Sequence, residues 1–403
     1  MKKLLSLLLA LMMVISLCAC GQGAGFGGAS APPASEKPEP QQESSEPNEI
    51  PVPDVGVETG TLLFDPTITP QDTQQVMILS GSWYDMGVQY GQQAEHALQR
   101  QYVQSATEML FNCYGDADEV CAAINAYMDQ VKTECPDLYD FVLGVDESLE
   151  EYDFVQSAIA TVCCLAYVNG TANDQLNCMN ASAWGSATEN GHLLAATNGD
   201  TGLADAFQFA GTMILMPENG YVTICSSGAG SNAYMNDQGV ITLGSGGQGN
   251  LETDGFTTLI STWAQVYTTT QCATADEVLE WDQRSDMFHA WLGNTHIADT
   301  SGTGYVFENT AGHSAVRRSG DFGETDYLIA NNHYLTEEMQ SSLYNDGSYD
   351  DCPVRYATVE QIFRENFGLL NIGLMHEVIA SRRYYLDGQW SEENWSQDLD
   401  TFF

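Results

Sequence analysis

A thiol is an intrinsically strong nucleophile, and this chain carries eleven cysteines. Cys18 and Cys20 fall in an N-terminal apolar segment. The other nine are Cys113, Cys121, Cys135, Cys163, Cys164, Cys178, Cys225, Cys272 and Cys352. Nine is odd, so at least one is a free thiol or pairs between chains. Cys178 stands in the most suggestive setting. Asn177-Cys178 opens the first strand of a β-rich region, behind a polar loop from Asn169 to Asn177. Ten residues on, Thr188-Glu-Asn-Gly-His192 marks a hairpin, and the return strand ends in Thr197-Asn-Gly-Asp200. Such a hairpin brings Asp200 back towards Cys178, and a nucleophile beside a polar orienting group is the general arrangement of covalent catalysis. The spacing also suits a cysteine that is simply a small buried hydrophobe, which is the commoner case.

Other familiar chemistries lack their residues. The chain has no phosphate-cradling Gly-rich loop, no Cys-x-x-Cys, no His-Glu-x-x-His and no Gly-x-Ser-x-Gly. His96, His192, His289, His296, His313, His333 and His376 are scattered without ligand spacing. Neither a metal nor a cofactor is therefore expected. Gly246-Gly247-Gln-Gly249 reads as a loop, since no helix signature follows it.

The elements that must position Cys178 divide into a helical part and a strand-rich part. Gln75–Ser80 is a short apolar strand, and Ser82-Trp-Tyr-Asp85 is a capping box that starts a helix. Trp83, Gly87, Tyr90, Ala94, Leu98 and Tyr102 continue it at helical spacing. Further helices fit Ala117–Lys132, Pro136–Leu149 and Phe154–Leu165, the second with proline in its first turn. After Cys178, Asn190-Gly191 separates Met179–Thr188 from His192–Thr197, and Asn219-Gly220 separates Gly211–Met216 from Tyr221–Ser226. Both pairs predict type I′ turns with positive φ at two positions. Strands follow at Val240–Leu243, His296–Asp299 and Tyr305–Glu308. Helices return at Thr257–Thr268, Thr274–Trp281, Val354–Asn366 and Ile372–Tyr385. The pattern predicts layered α and β structure with antiparallel sheets, not a doubly wound parallel sheet.

The 403 residues correspond to two or three domains at about 100–200 residues each. Twelve Lys+Arg against 55 Asp+Glu leave a formal net charge of −43. A field of that sign repels nucleic-acid phosphates and an anionic membrane surface, which excludes a nucleic-acid partner. Met1-Lys2-Lys3, the apolar run Leu4–Leu17 and Leu17-Cys-Ala-Cys20 have the plan of a secretory signal. The last four residues resemble a bacterial lipobox, which implies cleavage before Cys20 and lipidation of its thiol. Residues 21–60 are Gly/Ala/Ser-rich, then Pro/Glu/Gln/Ser-rich, a composition that cannot bury enough apolar surface to fold. The expectation is an extracytoplasmic protein held to the membrane through a lipid anchor only. Its parts are a signal over 1–19, a disordered linker over 20–60, a helical segment over 61–177 and a β-rich domain over 178–403.

Several motifs resemble one family. Gly81-Ser-Trp-Tyr-Asp-Met-Gly-Val-Gln-Tyr-Gly91 is similar to the pro-segment opening of isopenicillin-N acyltransferase-like peptidases. Cys178 with Ala183-Trp-Gly-Ser-Ala-Thr-Glu-Asn-Gly191 and Asn198-Gly-Asp200 resembles their nucleophile hairpin. Met235-Asn-Asp-Gln-Gly239, Asn332-His-Tyr-Leu335 and Arg355-Tyr356 resemble three later motifs, in family order. The resemblance implies an α+β fold, the four-layer αββα sandwich of N-terminal-nucleophile hydrolases, preceded by a mostly helical pro-segment. It implies self-cleavage between Asn177 and Cys178, which frees Cys178 as a new chain start. Asp200 would hold the new amine, Asn332 would donate to the oxyanion, and Arg355 would organise Asp200 or meet an anionic substrate group. His333 is expected to be structural. The reaction implied is cleavage of a linear amide bond in a small N-acyl or peptide-like compound, by hydrolysis or acyl transfer.

Two positions depart from relatives. Choloylglycine hydrolases, on the same fold, usually carry Arg where Thr197 stands and begin at their cysteine. Met179 follows the nucleophile where the family often has Ser or Thr. Alternative readings are a phospholipase B-like or choloylglycine-type hydrolase, or a ligand-binding lipoprotein without catalysis. A papain-like protease is a weaker alternative, because no histidine sits in a recognisable motif.

Overall fold

The computed structural model describes residues 76–98, 116–149, 153–161, 164–165, 178–199, 212–226, 233–246, 259–260, 262–284, 293–310, 313–340, 351–381 and 383–391. Cys20, the signal and the linker lie outside these residues, as do Asn177 and Asp200.

Two sheets organise the chain. The larger has eight strands in the order β1 (Val76–Gly81), β5 (Thr212–Pro217), β6 (Thr223–Cys225), β7 (Ala233–Asn236), β8 (Ile241–Gly246), β10 (Gly293–Ala298), β11 (Gly304–Asn309) and β12 (Ser314–Arg318). The smaller has β3 (Met179–Ala183) between β13 (Tyr327–Ala330) and β4 (Leu194–Asn198), all antiparallel. Two short pairs, β2 (Cys164–Leu165) with β9 (Leu259–Ile260) and β14 (Tyr385–Leu386) with β15 (Gln389–Trp390), stand apart from them.

The two-residue period of the strands decides what lies between the sheets. Ile241, Leu243, Ala298 and Val306 of the large sheet meet Leu328, Ala330 and Trp184 from the small one. Ser182 and Asn180 are the register partners of Leu328 and Ala330, so they share that inward face. The opposite residues of the large sheet, among them Met77, Leu79, Met213, Leu215 and Tyr234, pack against helices. These are α1 (Trp83–Leu98), α2 (Ala117–Glu134), α3 (Pro136–Ser148), α4 (Phe154–Thr161) and α5 (Thr262–Gln271). Further along, α6 (Ala275–Arg284) covers Ile297 and Phe307. On the far side α8 (Cys352–Glu365) lies against β13, with Phe363 edge-on to Tyr327 at 5.3 Å, and α9 (Ile372–Ala380) lies along β4. A short helix, α7 (Glu337–Gln340), precedes α8. The layers run helices, sheet, sheet, helices. The architecture is mixed α+β, with all neighbouring strands of both sheets antiparallel except β1 and β5.

The N-terminal helices share one core with the large sheet. Trp83, Tyr90 and Phe141 surround Trp263 and Tyr267 of α5, with Phe141 and Trp263 centroids 4.2 Å apart. Each such buried large side chain contributes roughly 1.5–3 kcal/mol relative to exposure. Helices α1 and α3 cross closely at two glycines: a Cβ on Gly87 would stand 2.0 Å from the Phe141 carbonyl oxygen, and one on Gly144 would stand 2.1 Å from that of Tyr84. The capping box forms as expected, with Asp85 N donating to Ser82 Oγ (3.1 Å) and Ser82 N to Asp85 Oδ2 (3.3 Å).

Local expectations fail in several places. The helix expected to reach Leu165 ends at Thr161, because Cys164–Leu165 pairs with Leu259–Ile260. That pairing also removes the start of the helix expected from Thr257; α5 begins at Thr262. The helix expected to run to Tyr385 stops at Ala380. Neither Asn-Gly pair forms a two-residue type I′ hairpin: Gly191 and Gly220 have positive φ, but Asn190 and Asn219 do not. Leu215 pairs with Thr223 and Ala183 with Leu194, so both connections are longer than two residues.

Candidate active site

Cys178 immediately precedes β3 and is 7% exposed. Met179 pairs with Asn198 at the end of β4, so the hairpin does close at the level of the cysteine. Because β13 runs antiparallel to β3, its C-terminal end also arrives there, and Asn331-Asn332-His333 follows it. The C-terminal end of β8 and the start of β10, paired as Gly246 with Gly293, come to the same end of the sandwich. Four strand ends thus converge around one cysteine.

Arg355 joins this cluster from the first turn of α8. Pro353 in the first turn favours the start of that helix, and the same turn carries Arg355 on its buried face. The guanidinium donates from Nη1 to the Cys178 carbonyl oxygen (2.9 Å) and from Nη2 to Asn332 Oδ1 (3.2 Å). Its Nε bonds Asp351 Oδ2 at 2.7 Å, and Nη2 lies 2.9 Å from Cys352 Sγ. At 2% exposure, this cation ties the protein's own acceptors together and does not face solvent. The planar fork of arginine is what lets one side chain hold the nucleophile's peptide and the asparagine at once.

Asn332 is fully buried. Its Nδ2 donates to the Gly246 carbonyl oxygen at 2.6 Å. An amide nitrogen carries two hydrogens, and this bond engages one of them. The neighbouring groups are held as tightly. Asn331 Nδ2 donates to the Cys352 carbonyl oxygen (2.7 Å), and His333 Nδ1 bonds Asn331 Oδ1. Burial, with Arg355 and Arg317 nearby, lowers the His333 pKa to about 4, so the ring is neutral near pH 7. The turn after it is fixed by Glu308, whose carboxylate accepts from Leu335 N (3.0 Å), Thr336 N (3.0 Å) and Thr336 Oγ1 (2.7 Å). Arg317 balances Glu308 (3.4 Å) and Glu324 (3.0 Å), all three fully buried or nearly so.

A second polar layer lines the inter-sheet face below Cys178. Thr197 Oγ1 donates to Asn180 Oδ1 at 2.7 Å, and Ser182 Oγ lies 2.6 Å from His296 Nε2. Thr197 thus serves its cross-strand partner.

Four other cysteines are buried, and burial makes each a poor nucleophile. Burial pushes the Cys352 thiol up to about 12, against the opposing pull of Arg355. Burial likewise raises Cys135, Cys225 and Cys272. These four are free buried thiols, and Cys121 is a free exposed one. Among the described residues no three His, Cys, Asp or Glu side chains converge to hold a metal ion.

Three of the candidate residues, Cys178, Asn332 and Arg355, therefore come together although they are up to 177 positions apart. Asn177, Asp200 and Cys20 lie outside the described residues. Asn294, Ser245, Asn331, Glu308 and Arg317 went unnoticed in the sequence. Their only signal is polarity at inward strand positions or beside them, and starting β10 at His296 instead of Gly293 left Asn294 outside its strand.

No family model matches the sequence, and no curated protein does. Among solved structures the chain is similar to penicillin V acylase from Agrobacterium tumefaciens, at 13% identity and a TM-score of 0.27. The match covers 52% of this chain and 63% of that one, so it spans less than two thirds of the acylase. A likeness of that size assigns neither family nor reaction.

Proposed function

We propose that this protein is a cysteine amidohydrolase of the N-terminal-nucleophile class, activated by cleavage of its own Asn177–Cys178 bond and tethered to the cell envelope through Cys20. The observation that carries the reading is the Arg355 guanidinium bridging the Cys178 carbonyl oxygen and Asn332 Oδ1. It sits at the end of a two-sheet sandwich covered by helices on both sides, an order that supports the αββα assignment.

In the precursor the Cys178 nitrogen is an amide and cannot act as a base. Attack of the thiol on the Asn177 carbonyl transfers the acyl group from nitrogen to sulfur, and the thiol proton passes to the departing nitrogen. Water then cleaves the thioester, leaving a carboxylate on Asn177 and a free amine and thiol on Cys178. That amine titrates near ~8 and can take the thiol proton, so no histidine is required. The thiolate attacks a substrate amide carbonyl, and the remaining Asn332 Nδ2 hydrogen meets the oxyanion. The protonated amine returns its proton to the leaving amine, and water or a second amine releases the acyl group. Loss of one such oxyanion donor typically costs ~10²–10³ in rate. Arg355 fixes the main chain of the nucleophile relative to that donor. The family resemblance implies a small N-acyl or peptide-like amide as substrate, and the net charge of −43 disfavours polyanions.

Intact mass and denaturing gels of the purified full chain, beside Cys178→Ala, test the reading. Two fragments meeting at Asn177/Cys178 are expected from the wild type and one uncut chain from the variant. A wild-type chain that stays whole under all conditions refutes the enzyme and favours a ligand-binding lipoprotein on the same scaffold.

A further inference from the structure

Resting on that reading of Asn332, we infer that Asn294 is a positioning residue that sets the oxyanion donor in place. Asn294 is 1% exposed on the inward face of β10. Its single side-chain amide donates to two carbonyl oxygens, those of Asn331 (2.5 Å) and His333 (3.0 Å). These belong to the peptide entering Asn332 and the peptide leaving His333, so one planar group grips the turn on both sides of the donor. Its cross-strand partner Ser245 adds a second bond to the Asn331 carbonyl oxygen, at 2.8 Å. One residue further along the same strand pair, the Gly246 carbonyl oxygen receives Asn332 Nδ2 itself. The ends of β8 and β10 therefore form a clamp: Ser245 and Asn294 hold the backbone of the turn, and Gly246 holds the side chain.

The acceptor end of Asn294 points to the same role. Its Oδ1 is buried and, among the described residues, has no hydrogen-bond partner. An orphan acceptor costs stability, and an apolar residue at this inward position would avoid that cost. What the asparagine supplies in return is its pair of N–H donors, directed at the turn. Misplacing a reacting group by about an ångström can cost ~10²-fold in rate. Loss of the clamp should therefore slow the chemistry and leave substrate affinity alone.

The probe is p-nitrophenyl acetate, which acylates an activated thiol and releases coloured nitrophenolate in a burst. Stopped-flow bursts on the processed full chain give an acylation rate constant, a saturation constant and an amplitude for wild type, Asn294→Ala, Asn332→Ala and the double variant. The expected result is a ~10–10²-fold lower rate constant in Asn294→Ala, with saturation constant and amplitude unchanged. The double variant should be no slower than Asn332→Ala, because the clamp acts only through that residue. A merely structural role would lower amplitude with the folded fraction and leave the rate constant of the remaining molecules intact. If Asn294→Ala does not fold, Ser245→Ala removes one of the two bonds to Asn331, with an expected loss of about fivefold, again absent in the Asn332→Ala background. Wild-type speed in the clamp variants, or multiplicative losses in the double variant, overturns the inference while Asn332 keeps its role. Wild-type speed in Asn332→Ala overturns the oxyanion assignment instead, and absence of any burst from the wild type overturns the nucleophile.

Discussion

Acid should destabilise this protein through His296. The ring is fully buried between the two sheets, 2.6 Å from Ser182 Oγ, and burial with Arg317 nearby holds its pKa down to about 3 from an ordinary 6.5. Since the folded value is the lower one, the unfolded chain binds a proton that the native protein refuses between those limits. The stabilising contribution is complete above pH ~6.5 and is lost as pH falls towards ~3. The full gap corresponds to roughly 5 kcal/mol, of which about 2 kcal/mol disappears between pH ~7 and ~5. His296→Gln removes the titration and keeps a nitrogen near the position of Nε2 to meet Ser182. Both proteins would carry Cys178→Ala, so that each is a single chain. Urea midpoints and slopes measured at pH 7, 6 and 5 give the stability of each. The difference between parent and variant should move by about 2 kcal/mol in the variant's favour from pH 7 to 5. Parallel curves would show that His296 protonates in the folded state at its ordinary pH and would refute the argument from burial.

Further outcomes follow from the packing. Arg355→Met leaves Asp351 without its cation and both the Cys178 carbonyl and Asn332 Oδ1 without this donor, and should cost about 3–5 kcal/mol in denaturant unfolding. Arg355→Lys should recover the charge but little of the self-cleavage rate, because a single ammonium cannot span the same acceptors; full recovery on a gel time course would show that only the charge matters. Phe141→Ala, in the middle of the aromatic cluster shared by α1, α3 and α5, should lower stability by about 3–5 kcal/mol. The large sheet should then unfold in the same transition as the helices; a separate helical transition by circular dichroism would contradict the shared core.

What could be read from the linear sequence is what depends on near neighbours. The capping box of Ser82 and Asp85, the helical spacing of Trp83, Gly87 and Tyr90 behind it and the proline opening α3 are set by residues within a turn or two, and both helices start where expected. The mixed α+β class follows from the change in period after Cys178. The local signal breaks down where one short apolar run suits two structures. The segment after Thr161 could continue a helix, and only the presence of Leu259–Ile260 opposite makes Cys164–Leu165 a strand.

The site itself is a long-range product. Its setting before a hairpin and motif resemblance singled out Cys178, and motif resemblance singled out Asn332 and Arg355, but no spacing requires them to touch. Their meeting depends on β13 pairing antiparallel with β3, which returns Asn332 to the cysteine's end, and on α8 lying across that end. The parallel pairing of β1 with β5 is equally invisible, since its partners stand about 136 positions apart and either strand could pair elsewhere. Asn294 is the clearest case. In the sequence it is one polar residue before a strand; in the fold its amide meets two carbonyls about 40 positions away. Backbone hydrogen bonds and buried charges must all find partners, but the chain does not number them in advance. Closing the two sheets over each other makes that choice.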